Sequence, residues 1–374
     1  MKRQKLLALF LCAGTALLGT TCTAEARESV DKGSIPSGNV DVIARFPTIQ
    51  PSGIAILPDG RMVLGFPRSV HDHPGPRLAV YAGNKATPFP SEAVQAQFVS
   101  PLGMTVDAKG KLWVLDEGMV AGHGTIPGAQ KLFEIDPKKD RILRVYPITA
   151  PALLTDSHLN DVRIDLTHGQ SGTAFITDTS TDVHPGIIVV DLASGHQRRI
   201  LADARVVSAE PGFVGMIDGV VARYDPKHPV IPQGGVDGID LSADQKTLYW
   251  QSLSSRTLYS APTAVLANPD ATEQQIEAAV KDEGETGMGD GMATGPDGSL
   301  YLTDVERHGI LRRTPDGGIS IVAHDPRLIE PDGLVYHDGA LYGTVGQWAR
   351  LPDFHNGKDM EEMPYIVIKI SLPK

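Results

Sequence analysis

The chain has 374 residues, of which 41% are hydrophobic, and this predicts a globular protein with a large core in one or two domains. Its 39 Gly and 28 Pro favour turn-rich β structure over a helical bundle. The net charge of −11 argues against nucleic acid and other polyanions as partners.

Residues 1–26 are typical of a secretory signal peptide. Lys2, Arg3 and Lys5 precede an apolar run over residues 6–18, and small residues flank Glu25 at the expected cleavage site. We predict cleavage after Ala26, a secreted or periplasmic location, and one mature domain over residues 27–374. The alternative is a membrane anchor, but the apolar run is shorter than the roughly 18–20 residues of a span. No membrane partner is therefore expected after cleavage.

The only two cysteines, Cys12 and Cys22, fall within this leader. The mature protein is therefore predicted to lack a disulfide, a thiolate nucleophile and a cysteine-based zinc site. Lipidation of Cys22 is disfavoured because residues 19–21 match the pattern of a lipoprotein site poorly.

After a strand predicted at Val40–Phe46, one sequence pattern recurs six times. Each copy has a short aliphatic strand, a turn such as Pro296-Asp297-Gly298, and a second strand. A third strand follows in every copy and a fourth in several. Six units of about four short strands predict an all-β fold, the six-bladed β-propeller. A β-sandwich is the alternative, but it gives no reason for six copies. The copies begin at Ser52, Leu102, Asn160, Asp237, Asp290 and Asp332.

The ring must close, and Val40–Phe46 is predicted to complete the last blade beside residues 365–370. One short inserted helix is predicted over residues 271–281, where Ile276, Ala279 and Val280 have helical spacing. Residues 119–130 and 203–236 are longer than ordinary connections. They suit either lids over the channel or surface loops.

Innermost strands of a propeller begin near one mouth of the central channel, so the six starting residues should face a common axis. Three of them are carboxylates and one is an amide, and such carboxylates repel one another unless a cation or shared protons compensate. The oxygen set Asn160, Asp237, Asp290 and Asp332 predicts a site for a divalent cation such as Ca²⁺, Mg²⁺ or Mn²⁺. The competing interpretation is that Asp-Gly is a common turn.

Second strands should end at the same mouth, which adds Asp116, Asp178 and Asp304 as candidate substrate-binding residues or strand-end caps. Asp161 lies one position off the register and suits a backbone cap or a supporting role. His71 and His73 form either a two-histidine metal site or part of an exposed loop. Trp113 and Trp250 fit the core. No organic cofactor is implied, because phosphate-binding and nucleophile-elbow motifs are absent from the sequence.

Several segments resemble the major royal jelly protein / Yellow family, in particular its secreted bacterial branch. The most specific is Ser-Leu-Ser-Ser-Arg at residues 252–256. The resemblance implies a six-bladed propeller; some relatives are linked to dopachrome conversion and others bind small amines in the channel. The other matching segments are residues 100–106, 112–118, 159–162, 237–244, 249–263 and 290–304.

A more distant resemblance is to the gluconolactonase / senescence-marker family, in which Glu, Asn and Asp from three blades hold a divalent metal. That resemblance implies a metal role for Asp290, within Asp-Gly-Met, and a substrate role for Asn160 and Asp161. Asp237 stands where Asn is expected and Ser52 where Glu is expected. One strong ligand is therefore missing, and Asp332 is the residue that would replace it.

Two hypotheses follow. In the first, the protein is a metal-dependent hydrolase of a lactone or similar ester, with Asp290 as the general base. In the second, it is a non-enzymatic protein that binds a small amine or sugar in its acidic channel. A tautomerase or isomerase with an acid–base pair in the same channel is a third alternative.

Overall fold

The computed structural model describes residues 37–180, 184–218, 220–223 and 234–372, so the predicted signal peptide lies outside the described residues. Six four-stranded antiparallel sheets follow one another along the chain. This confirms the six-bladed β-propeller. Blades 1 to 6 comprise residues 54–88, 101–147, 159–200, 236–285, 292–324 and 330–371, and residues 40–46 complete blade 6.

Each blade starts with a strand at the central channel, and the chain then moves outward through three more strands in blades 1 to 5 and through two more in blade 6. The innermost strands are Ile54–Ile56, Pro101–Val106, Leu159–Asp165, Val236–Leu241, Met292–Thr294 and Glu330–His337. The second strands are Met62–Gly65, Leu112–Asp116, Thr173–Asp178, Thr247–Ser252, Leu300–Asp304 and Ala340–Gly346.

The outer half of each blade contains the third and fourth strands. The third strands are Leu78–Ala82, Lys131–Asp136, Gly186–Asp191, Thr257–Pro262, Gly309–Arg313 and Tyr365–Ser371. The fourth strands are Lys85–Pro88, Arg141–Pro147, Gln197–Ile200, Lys281–Glu285, Ile319–His324 and, from the start of the chain, Val40–Phe46.

The ring closes as predicted, because Val40–Phe46 pairs antiparallel with Tyr365–Ser371. One blade thus contains both the first described strand and the last, which leaves no gap in the ring. The fourth strands of blades 1 and 4 were not predicted, since Lys85–Pro88 and Lys281–Glu285 are polar and lack an apolar run.

Short helices lie between or beside the blades. The inserted helix is Glu273–Ala279, capped by Thr272, and it packs beside the one-turn helix Thr263–Leu266. The 3₁₀ turns are Glu92–Gln97, Arg205–Val207, Trp348–Arg350 and Pro352–Phe354. Within the described part of the chain, no helix is long and apolar enough to cross a membrane.

Both long connections contain a small hairpin. Met119–Val120 pairs with Gly124–Thr125, and Val214–Ile217 pairs with Val220–Arg223. The second hairpin is tied to blade 5, since Met216 N–H donates to Glu306 at 2.8 Å. It is also tied to the connection between the second and third strands of blade 6, where Arg350 Nε donates to Asp218 at 2.5 Å.

The hydrophobic core lies mainly between neighbouring blades. Trp113 of blade 2 packs in one cluster with Val162 of blade 3, and Phe175 of blade 3 packs in another with Trp250 of blade 4. Both tryptophans are buried, as predicted. Each blade therefore depends on its neighbours to cover its two apolar faces.

The glycine that follows most of the starting residues lets neighbouring blades meet at the channel. A Cβ on Gly53 would lie 1.9 Å from the carbonyl oxygen of Leu102, and one on Gly238 would lie 2.1 Å from that of Asp290. Gly103, Gly291 and Gly333 make the same approach to the next blade. The Asp-Gly pair at 237–238 lies inside a strand, so the alternative interpretation as a turn is wrong there.

We expect Gly238→Ala to lower the free energy of unfolding by about 1–3 kcal/mol, because its methyl group would overlap a backbone carbonyl in blade 5. Gly289→Ala is a milder control, since its nearest contact would be 3.1 Å. Urea unfolding of both variants measures the effect. Equal stability of the two variants would contradict the proposed close approach.

Candidate functional site

A cavity of about 190 Å³ opens at one mouth of the channel. All six starting residues line it: Ser52, Leu102, Asn160, Asp237, Asp290 and Asp332. The sixfold register therefore brings together three carboxyl groups and an amide that lie far apart in the sequence.

The acidic side of the cavity is hydrogen-bonded within itself. Asn160 Nδ2 donates to Asp237 Oδ2 at 2.8 Å, and Ser52 Oγ donates to Asp332 Oδ2 at 2.5 Å. The charge of Asp237 also acts on the carboxyl group of Asp290. Two carboxyl groups that repel in this way are not easily ionised together.

Burial and mutual repulsion make these groups hard to ionise. Burial, followed by the charges of neighbouring carboxylates, raises the pKa of Asp237 and of Asp290 well above the usual value. Burial also raises the pKa of Asp332 to about 6, although the Ser52 hydroxyl opposes the shift. A bound positive charge would compensate the repulsion between the ionised carboxylates.

The donor set has the chemistry that an oxygen-preferring divalent cation requires. Its members are carboxylate and amide oxygens, and no lysine or arginine lines the cavity in the described ranges. No three His, Cys, Asp or Glu side chains among the described residues form a metal-binding group by themselves. A cation held by Asp237 and Asp290 would therefore take its next ligand from the Asn160 amide oxygen.

A second layer of polar residues lies two positions before the starting residues. Gln50, His158 and Glu330 precede Ser52, Asn160 and Asp332 by two, and all three line the cavity. Side chains two apart in an extended segment share a face, so the alternation of strand residues could have revealed this layer. These three residues were not predicted as site residues from the sequence.

Glu330 is a buried carboxyl group beside Asp332. Burial raises its pKa from 4.5 to about 7, although backbone N–H groups of Ala349 and Trp348 lower it in part. Because the folded-state pKa is raised, the stability that Glu330 contributes is complete below about pH 4.5 and is lost as the pH rises through about 7.

We expect Glu330→Gln to remove this loss, because an amide cannot ionise. Relative to the wild type, the variant should gain on the order of 2–3 kcal/mol in unfolding free energy between about pH 4.5 and pH 8. Urea unfolding at both pH values, with a chelator present, measures the difference. A constant difference between the two proteins across this range would contradict the prediction.

His158 is the only basic side chain that lines the cavity among the residues described. Its Nε2 lies 2.9 Å from Oε2 of Glu117, which is completely buried. Burial alone would lower the pKa of His158, but the hydrogen bond and charge of Glu117 raise it overall. Glu117 directly follows Asp116, but it was not predicted as a site residue from the sequence.

The rest of the cavity wall is mainly apolar. Trp348, Leu253, Val70 and Met119 contribute to it. Met119 comes from one of the two long connections, so residues 119–130 supply part of the wall. The site therefore pairs an acidic side with an aromatic and aliphatic side, as is common for small-molecule pockets.

Arg163 closes the channel beneath the acidic residues. Its Nε donates to Asp240 at 2.7 Å, its Nη1 donates to the carbonyl of Val162 at 2.8 Å, and its Nη2 donates to that of Met292 at 3.1 Å. Arg163 lines two separate spaces in the channel. One lies on the side of Ser52, and the other lies on the far side, beside Asp240 and Met292. Asp161 does not line the cavity. Its carboxylate lies 3.7 Å from the guanidinium of Arg163, which closes the channel.

The cavity wall does not include Asp116, Asp178 or Asp304. Each of these carboxylates instead contacts backbone N–H groups or an arginine. Asp116 accepts hydrogen bonds from the N–H groups of Val99, Ser100 and Gly118. Of the two interpretations left open for these three, the structure shows the cap for Asp116 and Asp178. Asp178 accepts a hydrogen bond from the N–H of His158 at 2.9 Å and forms an ion pair with Arg199. Asp304 forms an ion pair with Arg307.

The two histidines of the 66–77 loop do not act together. His71 pairs with Glu361 at 2.8 Å at the surface, whereas His73 is buried and bonds the carbonyl of Phe66 at 3.1 Å. Their separate partners match the loop interpretation better than a shared metal site.

The fold and the cavity define a class: a six-bladed β-propeller with an acidic pocket at one mouth of its channel. Within that class, the chain belongs to the major royal jelly protein family, whose sequence model matches residues 99–338. This confirms the resemblance found in the sequence. No curated protein sequence gives a significant match.

Solved structures with the same fold share little sequence with this chain. A gluconolactonase from Xanthomonas campestris is 12% identical, with a TM-score of 0.52 and 90% of each chain covered. Regucalcin from Agrobacterium tumefaciens, a calcium-binding protein, is 14% identical, with a TM-score of 0.53 over 89% of this chain and 96% of its own. A luciferin-regenerating enzyme is 10% identical, with a TM-score of 0.54 over 90% and 95%. At these identities the similarity establishes the fold alone.

Proposed function

We propose that the cavity binds a small molecule through a positive charge, which is carried either by the ligand or by a divalent cation bound with it. The observation that carries the proposal is the cluster of Asp237, Asp290 and Asp332 on one wall, with no lysine or arginine from the described residues beside them. Burial raises the pKa of all three groups, and the charges of other carboxylates add to the shift; a bound cation would compensate both effects.

Hydrogen-bond accounting supports the same conclusion. The Ser52 hydroxyl and the Asn160 Nδ2 group already donate to neighbouring carboxyl groups. The three carboxyl groups offer more acceptor positions than these two donors fill, and such acceptors favour a ligand that donates hydrogen bonds or a metal ion that accepts electron pairs.

Ca²⁺, Mg²⁺ or Mn²⁺ would be held by Asn160, Asp237 and Asp290, with Asp332 close by, and would supply a Lewis acid to a bound carbonyl. The calcium-binding description of regucalcin is consistent with this part of the proposal. An organic ammonium group would meet the same carboxylates through charge-assisted hydrogen bonds.

Hydrolysis of a sugar lactone is the second candidate, and the Asp237–Asp290 pair favours it. Two adjacent carboxyl groups that share a proton can act as acid and base in one reaction. Asp290 in its ionised form would accept a proton from the attacking water. The same pair would suit a tautomerase or isomerase, which moves a proton without water. The fold similarity to a gluconolactonase is consistent with the lactone.

Calorimetric and thermal-shift titration of the chelator-treated protein tests binding. The titrants are CaCl₂, MgCl₂, MnCl₂ and ethylamine, with NaCl of equal ionic strength as the control. We expect at least one of them to raise the melting temperature in a saturable way, because it binds only the folded state. Absence of a saturable shift with all four would overturn the proposal. Glucono-lactone hydrolysis, followed by proton release, then separates the hydrolase from the binding protein.

We also propose that the mature protein is exported, which rests on the features of residues 1–26. N-terminal sequencing of protein recovered from the periplasm or the medium should begin at Arg27. Recovery of the uncleaved chain in the cytoplasm would contradict the proposal.

A further inference from the structure

The His158 ring is held in one orientation by a chain of buried groups. Its Nε2 meets Glu117 Oε2 at 2.9 Å, and Glu117 Oε1 accepts from Ser100 Oγ at 2.7 Å. The Ser100 oxygen in turn accepts from the backbone N–H of Arg68 at 2.7 Å. Glu117 and Ser100 are both completely buried, so these contacts exclude solvent.

Neighbouring groups restrict the ring further. The backbone N–H of His158 donates to Asp178 at 2.9 Å, and the ring edge packs against Trp348 with 6.5 Å between centroids. A side chain fixed from several directions loses little conformational entropy when it contacts a ligand.

This arrangement leaves one ring nitrogen available. A carboxylate only accepts hydrogen bonds, so the proton of a neutral His158 lies on Nε2. Nδ1 makes no hydrogen bond in the described structure, and it is not among the unpaired atoms that are sealed from solvent. His158 lines the cavity, and Nδ1 is its only ring nitrogen without a partner in the described structure.

We propose that His158 contacts the bound ligand through Nδ1, and that Glu117 and Ser100 are positioning residues that fix its ring. This assignment rests on the proposed function of the cavity and deepens it. The ligand would place a positive charge near Asp237 and Asp290 and a hydroxyl near His158, since a hydroxyl can donate to Nδ1 of a neutral ring or accept from Nδ1 of a protonated one. Apolar parts between them would meet Trp348 and Leu253.

Two series of probes test the contact. The ω-amino alcohols with two to four carbons are compared with n-alkylamines of the same length, and their dissociation constants are measured by calorimetry. At least one amino alcohol should bind the wild type about tenfold more tightly than its matching amine, which corresponds to one good hydrogen bond of about 1.4 kcal/mol.

His158→Gln keeps a donor close to the position of Nε2 but removes Nδ1, so it should abolish the preference for the amino alcohol. His158→Asn places an amide close to Nδ1 and should retain part of that preference. His168→Gln is the matched control, because His168 also bonds a buried carboxylate, Asp165, but lies away from the cavity.

The positioning role has its own measurement. Nitrogen NMR of the wild type should show His158 with its proton on Nε2, and Glu117→Gln should convert it to a mixture of tautomers. That variant should lose the amino-alcohol preference while it still binds the alkylamine. A merely structural role for Glu117 would alter stability without changing this ratio.

The outcomes separate the two proposals. If amines bind and Asp290→Asn abolishes their binding, but His158→Gln leaves the amino-alcohol preference unchanged, the assignment of His158 is wrong and the proposed function stands. If the wild type binds neither the amines nor the divalent cations, the proposed function fails and the assignment fails with it.

Discussion

Asp290→Asn should weaken the binding of a cation or an amine by about 30-fold or more, because loss of a close buried charge pair costs about 2 kcal/mol or more. The charges of all three other acidic residues of the cavity, Asp332, Asp237 and Glu330, act on Asp290. Calorimetric titration of the variant and the wild type measures the change.

The same substitution should make the ligand-free protein more stable than the wild type as the pH rises above about 3.8, the usual pKa of an aspartate. Burial and neighbouring carboxylates raise the pKa of Asp290, so its ionisation costs folding free energy as the pH rises. An asparagine in its place has no charge to bury. Opposite effects on affinity and stability are the signature of a binding residue rather than a structural one.

Asp338→Asn is the matched control for charge, because the Asp338 side chain is 90% exposed and lies in a turn outside the cavity. It should leave ligand affinity unchanged to within about twofold, since exposed charges are screened. Equal loss of affinity in both variants would show that net charge, not this cavity, attracts the ligand.

Arg163→Met should lower the free energy of unfolding by about 3–5 kcal/mol, because it removes one partner of a buried ion pair and leaves the other without compensation. Asp240 would lose the guanidinium at 2.7 Å, and the carbonyl of Met292 would lose its donor at 3.1 Å. Asp161 would also lose its nearest cation. Urea unfolding at constant pH measures the loss.

A double-mutant cycle with Asp240→Asn separates the ion pair from the packing of the channel. The double variant should recover part of the lost stability, since the unpaired carboxylate is then gone. Arg312→Met provides the surface control, because its pair with Asp297 is 39% and 50% exposed and should contribute less than about 1 kcal/mol. Similar losses in Arg163→Met and Arg312→Met would contradict a buried structural role for Arg163.

Much of the fold could be predicted from the sequence, because the repeat consists of short-range patterns. Alternating aliphatic residues, turn signals and the sixfold spacing predicted the blades, and the closure by Val40–Phe46 followed from the need to cover a sheet edge. The polar outer strands Lys85–Pro88 and Lys281–Glu285 were missed. Edge strands contact solvent on one side, so their residues need no apolar pattern.

The candidate site was only partly predictable. The repeat register identified Asp237, Asp290 and Asp332, because equivalent positions in a closed ring face the same axis. His158 and Glu117 were missed because they come from different blades, and their contact spans 41 positions of sequence. Asp116 and Asp178 share a strand-end position, but their carboxylates turn to backbone N–H groups instead of the cavity.

The sequence by itself determined the number of blades, the closure of the ring and the set of residues at the start of each innermost strand. Local periodicity and turn chemistry depend on residues that are close in the chain, so they can be recognised in the sequence alone. Only the tertiary structure decided which carboxyl groups meet in the cavity, which histidine lines it and that Arg163 closes the channel. Those outcomes depend on distances between side chains of different blades, and packing between blades sets such distances.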